Sequence, residues 1–340
     1  MGRPASGDLR LTWRLAVALA VSVAVAVPGC GDAPSAPGVE GEVTAEVSFD
    51  LPPGTVAVGD DGTVWVTASS ASRPSGGRPF RHAVYGIDGE RGTVVHEAAL
   101  PHQMNDVAVG AGGVWMVGTD FRNEERPPQG TLVRLDPATG RVTDRLDLGE
   151  GAPSSVAVGH GSVWVTDSRE DRVLRIDPED VEVDRSIAVS GGPTSVAIDR
   201  RWAWVASPTT GVVHRIDPQT NVPSERVATG GLPSVVAAGG GVVWVSNYAD
   251  EDLAVVDPDA VEVERTVDFA SSPSRMAAVG ERLAIVESED QRLSLLAPGS
   301  DPVVLLEDRF FVDVAARDST LWVVDHGDDR LVRVTLRSTE

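Results

Sequence analysis

The chain has 340 residues, of which 41% are hydrophobic, and it carries a formal net charge of −22. Such a charge argues against nucleic-acid binding, which needs basic patches that neutralise phosphates. It also argues against direct adsorption to an anionic membrane. Cations, basic peptides and neutral sugars stay open as ligands. The 35 glycines and 23 prolines favour many short strands joined by turns.

The N-terminus has the pattern of an export signal. Arg3, Arg10 and Arg14 form a positive region, and Leu15–Val27 is an apolar run. This run is shorter than the ~20 residues that a membrane-spanning helix needs, so we predict a signal peptide. The run leads into the tetrapeptide Val-Pro-Gly-Cys, which ends at Cys30 and resembles the lipobox of bacterial lipoproteins.

The lipobox resemblance implies that residues 1–29 are removed and that Cys30, the single cysteine of the chain, carries a palmitate-type diacyl lipid. Residues 30–42, which are rich in Gly, Pro and Ala, would then form a flexible tether. We therefore expect an exported protein, anchored by lipid to the outer face of a bacterial cell membrane. The alternative is a cysteine that merely follows a cleaved secretory signal.

A repeat fills the remainder of the chain. One unit reads PSSVAVGHGSVWVTD and continues with VLRIDP, and its tryptophan recurs at most of the corresponding positions. The sixth unit has Ala284 at that position. We expect these tryptophans to pack between repeats rather than to bind a ligand. The repeated tryptophans are Trp65, Trp115, Trp164, Trp204, Trp244 and Trp322.

Each unit contains four short runs of alternating or β-branched residues, which is the pattern of a β-propeller blade. The seventh unit has only three such runs, and Glu42–Leu51 precedes the first unit as a spare strand. The sequence therefore predicts one all-β, seven-bladed propeller over residues 43–340, with its last blade closed by the N-terminal strand. In the third unit the runs are Val156–Gly159, Val163–Asp167, Val173–Asp177 and Val183–Val189.

The unit resembles bacterial propeller repeats of the YVTN type and of the virginiamycin B lyase-like group. Members of the lyase group carry WFTE in their units and use histidine and glutamate with a divalent metal at one channel mouth. In this chain the third residue after the tryptophan position is acidic only at Asp167, Glu287 and Asp325, and His326 is the nearest histidine. Because the lyase pattern of histidine and glutamate is not reproduced, the resemblance gives only weak support to a lyase activity.

One face of the ring carries the candidate site. We call it the upper face, and it is the face on which innermost strands begin and second strands end. Its blade loops are acidic, which suits either a cationic partner or simple solvation. Most residues at the channel mouth are small or apolar, whereas Asp106, Arg275 and Asp313 are charged. Arg275 and Asp313 belong to neighbouring blades, which predicts either a polar floor for a ligand or a structural ion pair.

Polar residues near the same rim complete the predicted site. Carboxylate oxygens are suitable ligands for Ca²⁺ or Mg²⁺, so Asp106, Asp313 and Asp325 are candidate metal ligands. In an enzyme, Asp313 or His326 would be the catalytic base. The ligand-binding residues that we predict are Asp106, Arg275, Asp313, Asp325, His326, His102 and Asn105.

Two hypotheses follow from these residues. The first, which we favour, is a membrane-anchored propeller that binds a protein, peptide, glycan or small molecule on its upper face without catalysis. The alternative is a divalent-metal-assisted lyase or hydrolase of the virginiamycin B lyase or gluconolactonase type. A mouth filled by the Arg275–Asp313 pair would favour the first hypothesis. Three or more carboxylate or histidine side chains that converge on one point would favour the second.

Overall fold

The computed structural model describes residues 39–70, 81–121 and 127–338. They form seven four-stranded antiparallel sheets arranged in a ring, so the predicted seven-bladed propeller is confirmed. A short 3-10 turn occurs at Pro208–Thr210. Nothing in the described part of the chain forms a helix with the length and hydropathy of a membrane span. The predicted signal peptide and Cys30 lie outside the described residues.

The innermost strands surround the central channel. Each contacts the innermost strand of the next blade, and the last contacts the first, so the ring closes. The sequence unit supplies these strands with the alternation PxxVAVG, whose small residues allow seven strands to converge. They are β2 (Pro53–Val58), β6 (Asp106–Gly110), β10 (Pro153–Gly159), β14 (Ser195–Ile198), β18 (Pro233–Gly239), β22 (Arg275–Val279) and β26 (Phe311–Arg317).

The second strands carry the repeated tryptophans, and all but their ends are buried. Blade 6 lacks its tryptophan but forms a complete sheet with Ala284 fully buried at that place. These strands are β3 (Thr63–Ser69), β7 (Gly113–Asp120), β11 (Ser162–Asp167), β15 (Ala203–Ser207), β19 (Val242–Asn247), β23 (Arg282–Glu287) and β27 (Thr320–Asp325).

The third and fourth strands complete each blade. The third strands are mostly buried on both faces, whereas the fourth strands consist mainly of exposed and partly buried residues, as expected at a sheet edge. The third strands are β4 (His82–Asp88), β8 (Gln129–Asp136), β12 (Arg172–Asp177), β16 (Val212–Asp217), β20 (Asp252–Asp257), β24 (Arg292–Leu296) and β28 (Arg330–Ser338). The fourth strands are β5 (Thr93–Ala99), β9 (Arg141–Glu150), β13 (Glu182–Ala188), β17 (Val222–Ala228), β21 (Glu262–Asp268), β25 (Val303–Leu306) and β1 (Val39–Ser48).

The N-terminal strand closes the ring, as the sequence predicted. Strand β1 pairs antiparallel with β28, with Val39 opposite Ser338 and Val47 opposite Leu331. Its first residue is Val39, so the strand begins inside the segment 30–42 that we assigned to the tether. The reason is that the Val-Glu-Gly-Glu-Val sequence continues the pairing back to the end of β28, although its glycine and acidic residues are typical of a linker.

The repeated tryptophans pack between blades, as predicted. Trp65 of blade 1 is fully buried and shares a cluster with Leu100, Val107 and Val114 at the boundary to blade 2. Trp115 lies in the same way against Val156 and neighbouring residues of blade 3. The hydrophobic core is therefore distributed over seven inter-blade layers, and this arrangement holds the inner strands, which carry the candidate site, in place.

Candidate functional site

Small hydroxyl side chains at the channel mouth link neighbouring blades. The Ser155 hydroxyl in blade 3 accepts a hydrogen bond from the Val196 N–H of blade 4 over 3.4 Å. The Ser195 hydroxyl in blade 4 accepts one from the Val236 N–H of blade 5 over 3.1 Å. These N–H groups face the channel side of the inner strands and lack a ladder partner there, so the serine oxygen satisfies them. The two serines are structural residues.

Asp106 makes the same link with one more hydrogen bond. Its Oδ2 accepts from the Val156 N–H of blade 3 over 2.9 Å. Its Oδ1 accepts from the next N–H in its own chain, that of Val107, over 2.9 Å. In blade 1 the equivalent hydroxyl, that of Thr55, is 2.8 Å from the Thr67 hydroxyl. The Val107 N–H, which would otherwise need the Thr55 hydroxyl as its acceptor, is therefore satisfied by Asp106 itself.

Asp313 repeats this arrangement across the closure of the ring. Its Oδ2 accepts from the Val56 N–H of blade 1 over 2.8 Å, and its Oδ1 accepts from the Val314 N–H over 2.9 Å. The mouth residue of the preceding blade is Arg275, which has no acceptor to offer. The Arg275 Nε lies 3.8 Å from the Asp313 Oδ1, and its Nη1 donates to the Ser274 carbonyl oxygen over 3.0 Å. The predicted Arg275–Asp313 pair is present.

The carboxylates of Asp106 and Asp313 and the guanidinium of Arg275 interact electrostatically at the channel mouth. Burial raises the pKa of Asp313 to about 7, an effect that Arg275 opposes and the charge of Asp106 reinforces. Burial also raises the pKa of Asp106, and the hydrogen bond from Val156 and the charge of Arg275 oppose that shift. Arg275 is 45% exposed, so it is the member of the trio that a ligand at the mouth would meet.

His102 and Asn105 hold the start of blade 2 and do not face an open site. His102 is 5% exposed and donates through Nδ1 to the Gln103 carbonyl oxygen over 2.9 Å. The Asn105 amide donates to the Pro153 carbonyl oxygen of blade 3 over 2.7 Å. A side chain at Gly118 would collide with the His102 ring, so the glycine makes room for the histidine. The structure assigns both polar residues to packing between blades.

Asp325 and His326 lie at the junction between blade 7 and its upper loop. Asp325 is 1% exposed and accepts from the Gly327 N–H over 3.2 Å, and burial raises its pKa. Its Oδ2 lies 3.8 Å from Nη1 of Arg309. The His326 Nδ1 donates to the Pro53 carbonyl oxygen of blade 1 over 2.9 Å. Both side chains therefore stabilise the loop and the ring closure.

The candidate metal ligands do not form a metal centre. Across residues 39–70, 81–121 and 127–338 there is no group of three or more His, Cys, Asp or Glu side chains that could hold a metal ion. Asp106 and Asp313 lie together at the mouth with Arg275, whereas Asp325 is engaged in its own loop. The other acidic residues at the ends of second strands are also paired, Asp167 with Arg172 at 2.9 Å and Glu287 with Arg292 at 3.1 Å.

Exposed apolar side chains on the upper face were missed from the sequence. Leu232, Tyr248 and Phe310 are 43%, 56% and 43% exposed. Each stands directly beside the end of an inner or second strand in blade 5 or blade 7. The signal that could have found them is the departure of these two blades from the small residues that blade 3 has at the same places, Ala152 and Ser168.

Comparison with known proteins reveals similarity in fold. No protein-family model matches the chain, and no curated protein matches its sequence. A catalytically inactive virginiamycin B lyase from Staphylococcus aureus, in complex with quinupristin, superposes with a TM-score of 0.68 at 16% identity, over 88% of this chain and 99% of that chain. The Cps50 (Swd1) β-propeller domain of Myceliophteria thermophila superposes with a TM-score of 0.70 at 12% identity, over 87% of this chain and 99% of that domain. Similarity to a lyase and to a β-propeller domain at such low identity establishes the β-propeller fold alone, because one fold can support unrelated functions.

Proposed function

We propose that this protein is an extracytoplasmic lipoprotein, anchored through Cys30, whose propeller acts as a binding module for a partner on its upper face. The observation that supports a binding module is the state of the channel mouth. Each oxygen of Asp106 and Asp313 already accepts a backbone N–H, and Arg275 stands against Asp313. Carboxylates used in this way hold the blades together, and within the described part of the chain no third His, Cys, Asp or Glu joins them to form a metal site.

The direction of β1 supports a particular orientation of the anchored ring. Val39 pairs with Ser338, the last residue of β28, so β1 starts on the face opposite the upper face. Nine residue steps separate Cys30 from Val39, a reach of at most about 30 Å. A lipid on Cys30 would hold that opposite face near the membrane and present the upper face to partners in solution.

Metabolic labelling tests the anchor. We expect an alkyne analogue of palmitate to label the wild-type chain in a bacterial host, and we expect the chain to sediment with membranes. Cys30→Ser should lose both the label and the sedimentation while the propeller stays folded, because no described residue is changed. An unlabelled wild-type chain, or a labelled Cys30→Ser chain, would contradict the proposal.

Thermal unfolding with and without metal tests the binding module against the enzyme. The chain lacking residues 1–29 is dialysed against EDTA, and its melting temperature is measured with Ca²⁺, Mg²⁺, Mn²⁺ or Zn²⁺. A bound ion at ~100 times its dissociation constant would stabilise the fold by about 2.7 kcal/mol. We expect no saturable shift. A saturable shift that Asp106→Ser abolishes would instead favour the alternative hypothesis, a metal-dependent lyase or hydrolase.

A further inference from the structure

The position beside each inner strand can be compared between blades. In blade 3 the Ser168 N–H donates to the Ala152 carbonyl oxygen over 3.3 Å, and both side chains are small. In blade 5 the Tyr248 N–H donates to the Leu232 carbonyl oxygen over 3.0 Å. The backbone geometry is therefore the same, and the large side chains of blade 5 are not required by it.

Blade 7 shows the same replacement. The His326 N–H donates to the Phe310 carbonyl oxygen over 2.9 Å, and the His326 ring meets the Phe310 ring edge-on with centroids 6.0 Å apart. In blade 1 the corresponding pair is Pro52 and Ser69, linked over 2.9 Å. We call the four residues Leu232, Tyr248, Phe310 and His326 the rim patch. It occupies blades 5 and 7, with blade 6 between them.

The distribution of exposed apolar side chains separates the rim patch from ordinary surface. Among the described residues, nine large hydrophobic side chains are exposed, and five of them are valines. The valines are Val95, Val183, Val222, Val303 and Val304. The other four are Phe121, Leu232, Tyr248 and Phe310. The five valines lie on fourth strands, which form the outer, largely exposed edge of each blade. Three of the other four belong to the rim patch, so the large exposed apolar side chains outside the fourth strands concentrate on the upper face of blades 5 and 7.

The charges around the rim patch define the chemistry of its partner. Asp250 and Glu251 follow Tyr248 in blade 5, and Glu307 and Asp308 precede Phe310 in blade 7; all four carboxylate residues are exposed. Exposed carboxylates beside aromatic rings suit Lys and Arg, whose stems pack on apolar surface while their charges meet the acids. The net charge of −22 would attract such a partner from a distance.

We propose that the rim patch and its flanking carboxylates bind a Lys- or Arg-rich segment of a partner protein that also carries aromatic or large apolar side chains. This inference rests on the proposed binding function and names the partner class. Leu232, Tyr248 and Phe310 seat the apolar side chains, and the acidic residues receive the cations. The upper face thereby selects basic segments and repels acidic ones.

Fluorescence anisotropy with defined peptides tests this inference. The probes are labelled hexapeptides of alternating Lys and Phe, alternating Glu and Phe, and alternating Lys and Gly, titrated with the chain lacking residues 1–29. We expect saturable binding of the Lys–Phe probe, at least about tenfold weaker binding of the other two, and a loss of affinity between ~50 and ~300 mM NaCl.

The variants give each blade the residues of blade 3. Leu232→Ala with Tyr248→Ser, and Phe310→Ala with His326→Ser, should each weaken the Lys–Phe probe at least about tenfold. The matched control is Phe121→Ala, which removes an aromatic side chain that is 65% exposed on the upper face of blade 2 and should change the affinity less than about twofold.

Three results would overturn the inference. They are no binding of the Lys–Phe probe, equal binding of the Glu–Phe probe, and affinity unchanged by both double variants while circular dichroism shows them folded. In the third case the probe binds elsewhere, so the binding module would stand and only the rim patch would be wrong. A wild-type chain without the palmitate label would overturn the lipid anchor without affecting the peptide-binding result.

Discussion

At the scale of single residues, the channel mouth shows how many acceptors each blade needs. Serine provides one oxygen and links its blade to the next, whereas Asp106 and Asp313 provide two and also satisfy the N–H that follows them. Both aspartates follow a blade whose mouth residue is occupied elsewhere or is a donor. Such charged residues are selected for hydrogen bonding, and their burial then perturbs their titration.

The raised pKa of Asp313 predicts a dependence of stability on pH. Its pKa moves from 3.8 to about 7 on folding, so between these values the folded chain holds a proton that the unfolded chain has lost. The contribution of Asp313 to the free energy of unfolding is therefore full at low pH, falls as pH rises from about 4 to 7, and is lost above about 7. Each unit of difference between the folded and unfolded pKa corresponds to about 1.4 kcal/mol of that contribution.

Urea unfolding at a series of pH values measures this effect in the wild-type chain and in Asp313→Asn. The variant does not titrate, and the acceptor oxygen that it lacks lowers its stability by an amount that does not vary with pH. The stability of the wild type relative to this variant should therefore fall as pH rises through that window. Arg275→Gln should extend the decline to higher pH without moving its start, because Arg275 lowers the pKa of Asp313 in the folded chain only. Parallel profiles for wild type and Asp313→Asn would contradict the assignment.

At the scale of elements, an arginine of the third strand links blades 3, 4 and 7 to the turn that follows the third strand of the next blade. Arg175 lies over the Trp164 ring with its guanidinium carbon 5.3 Å from the ring centroid, and its Nη1 donates to Asn221 Oδ1 of blade 4 over 2.8 Å. Blade 1 has Gly86 at this place, and His96 stacks on Trp65 instead, at 5.6 Å and 1°. A planar cation or ring therefore lies against each of these two tryptophans, Arg175 against Trp164 and His96 against Trp65.

Removal of this link should destabilise the ring. Arg175→Ala loses the hydrogen bonds to Ser162, Pro218 and Asn221 and the stacking on its tryptophan, which should cost about 2–3 kcal/mol of unfolding free energy. Arg175→Lys should recover only part of it, because an ammonium lacks the planar fork. Arg145→Ala, on an exposed position of β9, is the matched control in urea unfolding and should change stability by less than about 0.5 kcal/mol. Equal effects of both alanine variants would contradict a role in blade linkage.

Much of this level of structure was predictable from the repeat. The Asp-Pro landmark proves to be a turn in which the aspartate side chain accepts a following N–H, as in Asp136 to Ala138 at 2.9 Å and Asp177 to Glu179 at 2.7 Å. Residues that recur from unit to unit therefore indicate local hydrogen bonding of this kind. Arg275, Tyr248 and Phe310 occur once each, and where they point depends on which blades become neighbours, so their role needed the structure.

At the scale of the whole molecule, the order of blades and the closing strand followed from counting strands in the sequence. The first residue of that strand did not, because pairing with β28 back to Val39 is decided by the partner strand and not by local composition. The same pairing brings Glu46 against Arg309 at 3.0 Å and Arg330 at 2.8 Å, and these partners are more than 250 residues away in the chain. Such distant ion pairs have no signature in a single sequence.

Ring closure by β1 predicts that the strand is separable and replaceable. A chain that starts at Phe49 lacks residues 39–48 and exposes the edge of β28, so we expect a lower melting temperature and self-association through strand pairing. A chain that starts at Val39 keeps the pairing and should match the chain that starts at Gly31 in melting temperature.

A synthetic peptide of residues 39–48, added in excess, should restore the monomer and part of the lost stability of the shortened chain, because it supplies the missing backbone hydrogen bonds. A scrambled peptide should not, since its apolar residues would fall out of register with the partly or fully buried positions Val39, Val43 and Val47. Rescue by the scrambled peptide, or full stability of the chain that starts at Phe49, would show that the ring closes without β1.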